Sequence, residues 1–226
     1  MTLKHCDGLW LCLYFQQLPV EIFTRDAQSD KPVVIKTRQR ISHANMAARA
    51  MGIRIGSSMD AAYTIDDGVV GFERDEEKEL FALNNLSQWA YQFTPSISIK
   101  PPHSLLLDIR SSLKLFNGID NIKTHLYRGL QRLGYTAVLG VHRTPLAAAC
   151  TAHAGLGDES PLLKIPAAVL DVDTRIIESL QQMGMHSVGD VLALPRSGLT
   201  RRFGVFFSDY LQRLTGEKPD PQKFVG

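Results

Sequence analysis

The chain has 226 residues, with 25 Lys and Arg against 23 Asp and Glu and 44% hydrophobic residues. That composition belongs to a folded protein of one large or two to three small domains, and it argues against a disordered tail. The formal charge of +2 excludes a global basic field that would hold nucleic acid by charge alone. The average hides an asymmetry: Lys31 to Arg54 carries six basic residues and no acidic one, whereas Asp60 to Glu79 carries eight acids against two bases. Such patterning presents either a basic binding face or merely a solvated one. Cys6, Cys12 and Cys150 are too far apart and unmatched to make a disulfide framework or a four-ligand zinc site, which points to a reducing compartment. The apolar run near the start, about seven residues, is too short for a membrane span and lacks a small-residue cleavage site, so the expected location is cytoplasmic.

Leu9 to Phe15 is continuously apolar without helical periodicity, which predicts a strand buried on both faces. Residues 16–72 read as a small inserted subdomain, with a strand at Val33 to Lys36, a helix from Ser42 to Met51, Gly52 as a stop, and Ser57 or Ser58 capping a further helix. From Lys78 to Tyr91, Leu80, Leu83, Leu86 and Ala90 recur at helical spacing. Two strands follow, Ser96 to Lys100 and Leu105 to Ile109, around Pro101-Pro102-His103-Ser104. A second helix aligns Ile119, Ile122, Leu126, Leu130 and Leu133 and stops at Gly134. A strand from Thr136 to His142 and an alanine-rich helix from Pro145 to Ala154 complete the unit. With the insertion removed, the order is β-α-β-β-α-β, that of a ferredoxin-like sheet in a mixed α+β fold. Beyond Gly155 a loop, GLGDESPLL, leads into an all-helical unit, with helices at Thr174 to Met183, Val188 to Leu194 after a Ser187 cap, Leu199 to Phe203 and Phe206 to Leu214. The final EKPDPQKFVG is Pro-rich and charged and reads as a linker.

This order resembles the palm, fingers and thumb of the Y-family translesion DNA polymerases, and local motifs carry the likeness. The family's first-strand motif ends in Val-Glu, matched by Val20-Glu21; nine residues back, its first metal-binding aspartate falls on Cys12, and a less critical second one falls on Tyr14. Aligning the closing Leu-Asp of the second carboxylate motif on Leu107-Asp108 puts its Asp and Glu at His103 and Ser104. SHANMAARAMGIRIGSSM keeps Arg49, Gly52, Gly56 and Met59 of the fingers motif, with Met46 in place of a triphosphate-contacting Tyr. GVHRTPLAAACTA matches a palm motif in which Asn-Lys has become Thr144-Pro145, so a phosphate-facing lysine is lost at Pro145. The text is also similar to the ImuB-type members, the catalytically degenerate branch. The likeness lies in LWLCLYFQQLPVEIF, FTPSISIKPPHSLLLDI, Ser112 to Gly118, Arg143 to Ala149 and Gly189 to Gly204, and covers essentially the whole chain.

The resemblance implies a palm at 1–15 and 73–155, fingers at 16–72, a thumb at 160–216, and at 217–226 a linker toward a little-finger domain not contained in the chain. Two-metal nucleotidyl transfer needs carboxylates bridging Mg²⁺ ions about 3.5–4 Å apart, and thiol or imidazole binds Mg²⁺ poorly. With Cys12, His103, Ser104 and Pro145 at the degenerate positions, the expectation is no catalytic residue, no productive Mg²⁺ and no other cofactor. The implied role is a non-catalytic adaptor in SOS mutagenesis and translesion synthesis, bacterial and nucleoid-associated. It would bind DNA weakly and without sequence preference. It would bridge an error-prone replicative-type polymerase, a RecA-like accessory protein and the sliding clamp, mostly through regions beyond this chain.

Arg49 is the candidate nucleotide or phosphate contact, and Arg196, Arg201 and Arg202 are DNA-binding candidates. Where a helix-hairpin-helix turn would offer glycines, the first thumb hairpin has Asp171-Val172-Asp173, with Asp173 free to cap a helix; the second keeps Gly184, Gly189 and Gly204. Plainer readings stand beside these: Cys12 as a core residue, His103 as a loop tip, Arg49 as a solvated helix arginine, and Asp108 as an acid with a structural partner. An active, diverged translesion polymerase and a protein-only interaction module stay open as alternative functions.

Overall fold

The apolar run does form a strand, β1 (Trp10–Tyr14), between two antiparallel neighbours. The structure, a computed structural model, describes residues 8–25, 31–157 and 160–225. Cys6 and the first part of the leader, residues 26–30 of the insertion, Asp158 and Glu159 of the loop, and Gly226 lie outside the described residues.

In chain order there follow α1 (Leu18–Thr24), β2 (Val33–Thr37), β3 (Arg40–Ala44), α2 (Met46–Ala50), α3 (Met59–Ile65), β4 (Val70–Glu73), α4 (Glu76–Ala90), β5 (Ile97–Lys100), β6 (Ser104–Asp108), α5 (Ile119–Arg132), β7 (Val138–His142) and α6 (Pro145–Ala154). The larger sheet runs β5-β6-β1-β7, all antiparallel, which is the ferredoxin-like order. Both faces of β1 are covered, which is why its sequence does not alternate. Leu11 and Leu13 join Leu105, Leu107 and Leu139 against Leu83, Leu86, Ile122, Leu126 and Leu130 of α4 and α5. Cys12 and Leu106 face the other way, onto Ala148 and Ala152 of α6. Helix α6 lies so close that a Cβ on Gly140 of β7 would come within 2.3 Å of the Ala148 carbonyl oxygen, which accounts for its small residues.

The inserted sheet runs β3-β2-β4, with β2 parallel to β4 and antiparallel to β3. Here the expected helix from Ser42 to Met51 is corrected. Ser42 to Ala44 belong to β3, and α2 begins only after Asn45. Asn45 decides the switch: its side-chain oxygen accepts from Ala48 N at 2.9 Å and from Val33 N at 3.1 Å, and its amide donates to the Lys31 carbonyl at 2.8 Å. It caps the helix and staples it to β2 at once. Helix α1 and strand β4 have no counterpart among the sequence expectations.

The C-terminal unit holds α7 (Thr174–Gln182), α8 (Val188–Leu192) and α9 (Arg196–Thr215). Ser187 and Asp190 form a reciprocal capping box on α8. The two last expected helices follow each other within α9 and are separated by a kink at Gly204, with φ 84° and ψ 171°. Ile165, Leu180, Val188, Val191, Phe207 and Leu214 form its core, which joins α6 through Ala147 and Cys150. The chain then returns to the larger sheet: Val225 N donates to the Ile97 carbonyl of edge strand β5 at 2.9 Å, and the Phe224 ring stacks on Trp10 with centroids 6.3 Å apart. Among the described residues, no helix is long and apolar enough to cross a membrane.

Candidate functional site

Cys12, Tyr14, Ser104 and Leu106 share the α6-facing side of the larger sheet because strand side chains alternate and Tyr14 pairs with Ser104, Cys12 with Leu106. Cys12 is fully buried. Burial pushes its thiol up to about 12, against a weaker opposing hydrogen bond from Ser104, so it carries no charge at neutral pH. Ser104 Oγ lies 3.3 Å from His153 Nε2, and the His153 ring packs on Tyr14 with centroids 4.3 Å apart. Burial lowers the His153 pKa below the usual imidazole range. Tyr14, Ser104 and His153 line a cavity of about 260 Å³, together with Leu106, Cys150 and Tyr210. Asp171, from the turn before α7, and Asp220, from the returning chain, line it too. Burial raises the Asp220 carboxyl above its ordinary value. Among the described residues, no group of three or more His, Cys, Asp or Glu side chains is placed to hold a metal ion.

His103 lines the same cavity and is held from its other side. Its carbonyl accepts from Phe15 N at 2.8 Å, fixing the β5–β6 turn beside the end of β1. Its ring is not a solvated loop tip; the side chain is 16% exposed and lies 3.4 Å from Glu79 Oε2. Arg74 grips the same carboxylate with two bonds of 2.9 Å, and the His43 ring of β3 stands edge-on to His103. Burial alone would raise the Glu79 pKa, but hydrogen bonds from Arg74 and His103 outweigh it and bring the carboxyl down to about 2. His43 falls to about 4, first through burial and then through His103, Arg74 and Arg49, with Glu79 opposing. Sequence reasoning missed this group. The available signal was Glu79 itself, which sits on the buried stripe of α4 at helical spacing from Leu83 and Leu86.

At Pro145 the chain starts α6: Thr144 Oγ1 accepts from Ala147 N at 3.1 Å and donates to the Leu214 carbonyl at 2.9 Å, so this turn is tied to the end of α9. Arg49 lies in the last turn of α2 with its Nη2 2.9 Å from the Gln17 amide, which satisfies both Arg49 and the Ala44 carbonyl when its oxygen faces Arg49 and its nitrogen faces Ala44. Met46 is 87% exposed at the start of the same helix. Of the other arginines, Arg196 is ion-paired with Glu217, and Arg202 donates to Ser179 Oγ at 3.2 Å. Arg201 is exposed just before the Gly204 break, where Val205 and Phe206 are exposed as well. Asp173 caps α7 by accepting from Arg175 N at 2.8 Å.

Residues 15–153 match the impB/mucB/samB family, and this covers more than half of the chain. The chain belongs to that family. It is similar to Protein ImuB of two strains of Caulobacter vibrioides, 29% identical over 163 residues, which are 69% of this chain and 36% of that protein. The chain therefore spans about a third of the length of the curated relatives it matches. Among solved structures it is similar to an insertion ternary complex of Dbh DNA polymerase, with TM-score 0.70 and 17% identity over 95% of this chain and 69% of that one. DinB from Sulfolobus solfataricus gives TM-score 0.67 and 16% identity over 96% and 69%. A Y-family DNA polymerase chimera built on Dbh gives TM-score 0.70 and 15% identity over 95% and 69%.

The fold is thus that of a Y-family palm, fingers and thumb. By this likeness of fold, the four-stranded sheet with α4–α6, the inserted three-stranded sheet and α7–α9 carry the names palm, fingers and thumb that the sequence led us to expect. The Arg74, Glu79, His103 and His43 group lies where fingers meet palm. The cavity beside Ser104 lies where palm meets thumb.

Proposed function

We propose that this chain is a polymerase-shaped DNA-binding adaptor that does not itself join nucleotides, acting in the tolerance of DNA damage. The observation that carries the reading is the fate of the positions at which the resemblance puts metal-binding carboxylates. Cys12 is an uncharged thiol under α6, Ser104 is bonded to His153, and the His103 ring is occupied by Glu79 and Arg74. None offers the bridging anionic oxygen that two Mg²⁺ ions require. The adaptor's clients, on this reading, are an error-prone replicative-type polymerase, a RecA-like accessory protein and the sliding clamp, and the setting is SOS mutagenesis. Resemblance to the ImuB-type proteins supports that assignment.

One feature favours the second reading, an active diverged polymerase: Asp171 and Asp220 line the same cavity as Ser104 and His103. Primer extension on a primed template with all four deoxynucleotides, in Mg²⁺ and in Mn²⁺, separates the two. The adaptor reading expects no extended product, together with salt-sensitive binding of the same DNA by fluorescence anisotropy. Template-dependent extension abolished by Asp171→Ala or Asp220→Ala would replace it with the second reading.

A further inference from the structure

We propose that Arg74, Glu79 and His103 form an ionic brace that holds the fingers on the palm, and that His103 serves this brace in place of binding metal. The brace rests on geometry; only the last clause rests on the proposed function. Arg74 belongs to both parts. Its main-chain N–H donates to the Lys36 carbonyl at 2.9 Å, continuing the β2–β4 pairing of the fingers sheet past Glu73. Its guanidinium reaches the palm, with Nε 2.9 Å from Glu79 Oε1 and Nη2 2.9 Å from Oε2. This two-pronged match of a planar fork to a carboxylate is the strongest form of such a pair.

Glu79 is 1% exposed, so its charge has little water to turn to. A buried carboxylate is tolerated only when paired and hydrogen-bonded, and loss of its partner is heavily destabilising. Glu79 therefore has to keep Arg74, and Arg74 cannot leave without taking the last fingers strand with it. His103 closes the arrangement from the β5–β6 turn. Its Nε2 lies 3.4 Å from Glu79 Oε2 and 3.4 Å from Arg74 Nη2. With the proton on Nε2 the ring donates to Glu79; with Nε2 bare it accepts from Arg74. Either tautomer ties the turn to the pair. On the fingers side, the His43 ring meets His103 edge-on at 6.1 Å.

A second contact of the fingers sheet, beside the first, is apolar. Val20 of α1 packs with Val33 and Ile35, joined by Phe23, Val70 and Phe72. Phe23 and Phe72 stack at 4.5 Å. The fingers thus have an apolar seam along α1 and an ionic brace at Glu79. Breaking the brace leaves the seam, so it should loosen the fingers sheet without unfolding the palm.

Hydrogen exchange of the full chain, read by mass spectrometry at neutral pH, tests this without DNA or nucleotide. In Glu79→Gln, amides of β2, β3 and β4 are expected to exchange about tenfold faster, while those of β1 and β6 change less than about twofold. Arg74→Lys, which keeps the charge but loses the fork, and His103→Ala should give smaller changes confined to the same strands. His103→Asp, which returns an acid to the motif, sets a second carboxylate beside Glu79 and should loosen the fingers as well. Unchanged exchange in β2–β4, or faster exchange spread equally over both sheets in Arg74→Lys and His103→Ala, overturns the proposal. A positive primer-extension result would remove the proposed function and leave this measurement standing.

Discussion

Glu79 and His43 sit on opposite sides of the palm–fingers junction, and their titrations push stability in the same direction. His43 is faced by His103, Arg74, Glu79 and Arg49, and takes a proton in the folded protein only near pH 4, against 6.5 for an ordinary imidazole. Below about pH 6.5 the unfolded chain therefore binds the proton first, and stability falls with pH down to about 4. Glu79, faced by Arg74 and His103, is depressed from 4.5 to about 2. Its contribution is complete above 4.5 and is lost as pH falls toward 2. Urea midpoints measured across this range should decline from pH 6.5 downward in two stages. His43→Gln should shrink the upper stage, to which His142 and His153, also lowered by burial, contribute as well, and leave the lower one. Glu79→Gln should shrink the lower stage and, by breaking the paired hydrogen bonds to Arg74 while Glu76 still faces the guanidinium at 3.6 Å, cost about 2 kcal/mol at neutral pH. A wild-type midpoint that stays level between pH 6.5 and 4 would contradict the burial of a neutral His43.

Among the elements, α6 is the one whose placement governs the candidate site. It packs flat on β1 and β7, and Gly140 is where its main chain comes closest: an added Cβ would lie 2.3 Å from both Ala148 O and Ala152 N. Backbone atoms cannot rotate aside as a side chain can. Gly140→Ala should thus force α6 off the sheet, lowering stability by about 3 kcal/mol in urea unfolding and exposing Cys12 to thiol reagents. An alanine variant with wild-type midpoint and an unreactive Cys12 would show that α6 is not seated as described. This helix was also the most legible in the sequence, since its expected span, Pro145 to Ala154, is the observed one. Thr144 caps it, Pro145 opens it and Gly155 closes it at φ 62°, all local signals. The fingers were less legible because their order is not local. Ser42 to Ala44 carry no strong strand pattern and pair with β2 only because Asn45 ties both together. The candidate site divides in the same way. Cys12, His103 and Ser104 could be singled out by resemblance, but His103's partners come from the end of β4, the start of α4 and from β3. Nothing in the linear spacing of Arg74, Glu79 and His43 announces that they converge.

For the whole molecule, the balanced charge of +2 now has a spatial meaning. Within the basic fingers stretch Lys36 is neutralised by Glu73 at 2.8 Å, whereas Arg40, on the Gly56 carbonyl, and Arg49 keep their charge at the surface. Arg38 and Arg54 are exposed on the fingers, and Arg201 and Arg202 are exposed on the thumb beside the Gly204 break. DNA binding by such a surface should be modest and strongly salt-dependent, because each phosphate contact releases counterions. Two variants then give different signatures in anisotropy titrations with duplex DNA across a salt series. Arg201→Ala with Arg202→Ala removes phosphate contacts, so affinity should fall and the slope of log K against log salt should flatten by about 1.8, roughly 0.9 per contact. Arg74→Lys leaves every charge in place but loosens the fingers relative to the thumb, so affinity should fall while the slope keeps its wild-type value. Equal slopes in the double arginine variant and the wild type would mean that the thumb does not touch the phosphates, and would move the protein toward an interaction module that has lost DNA.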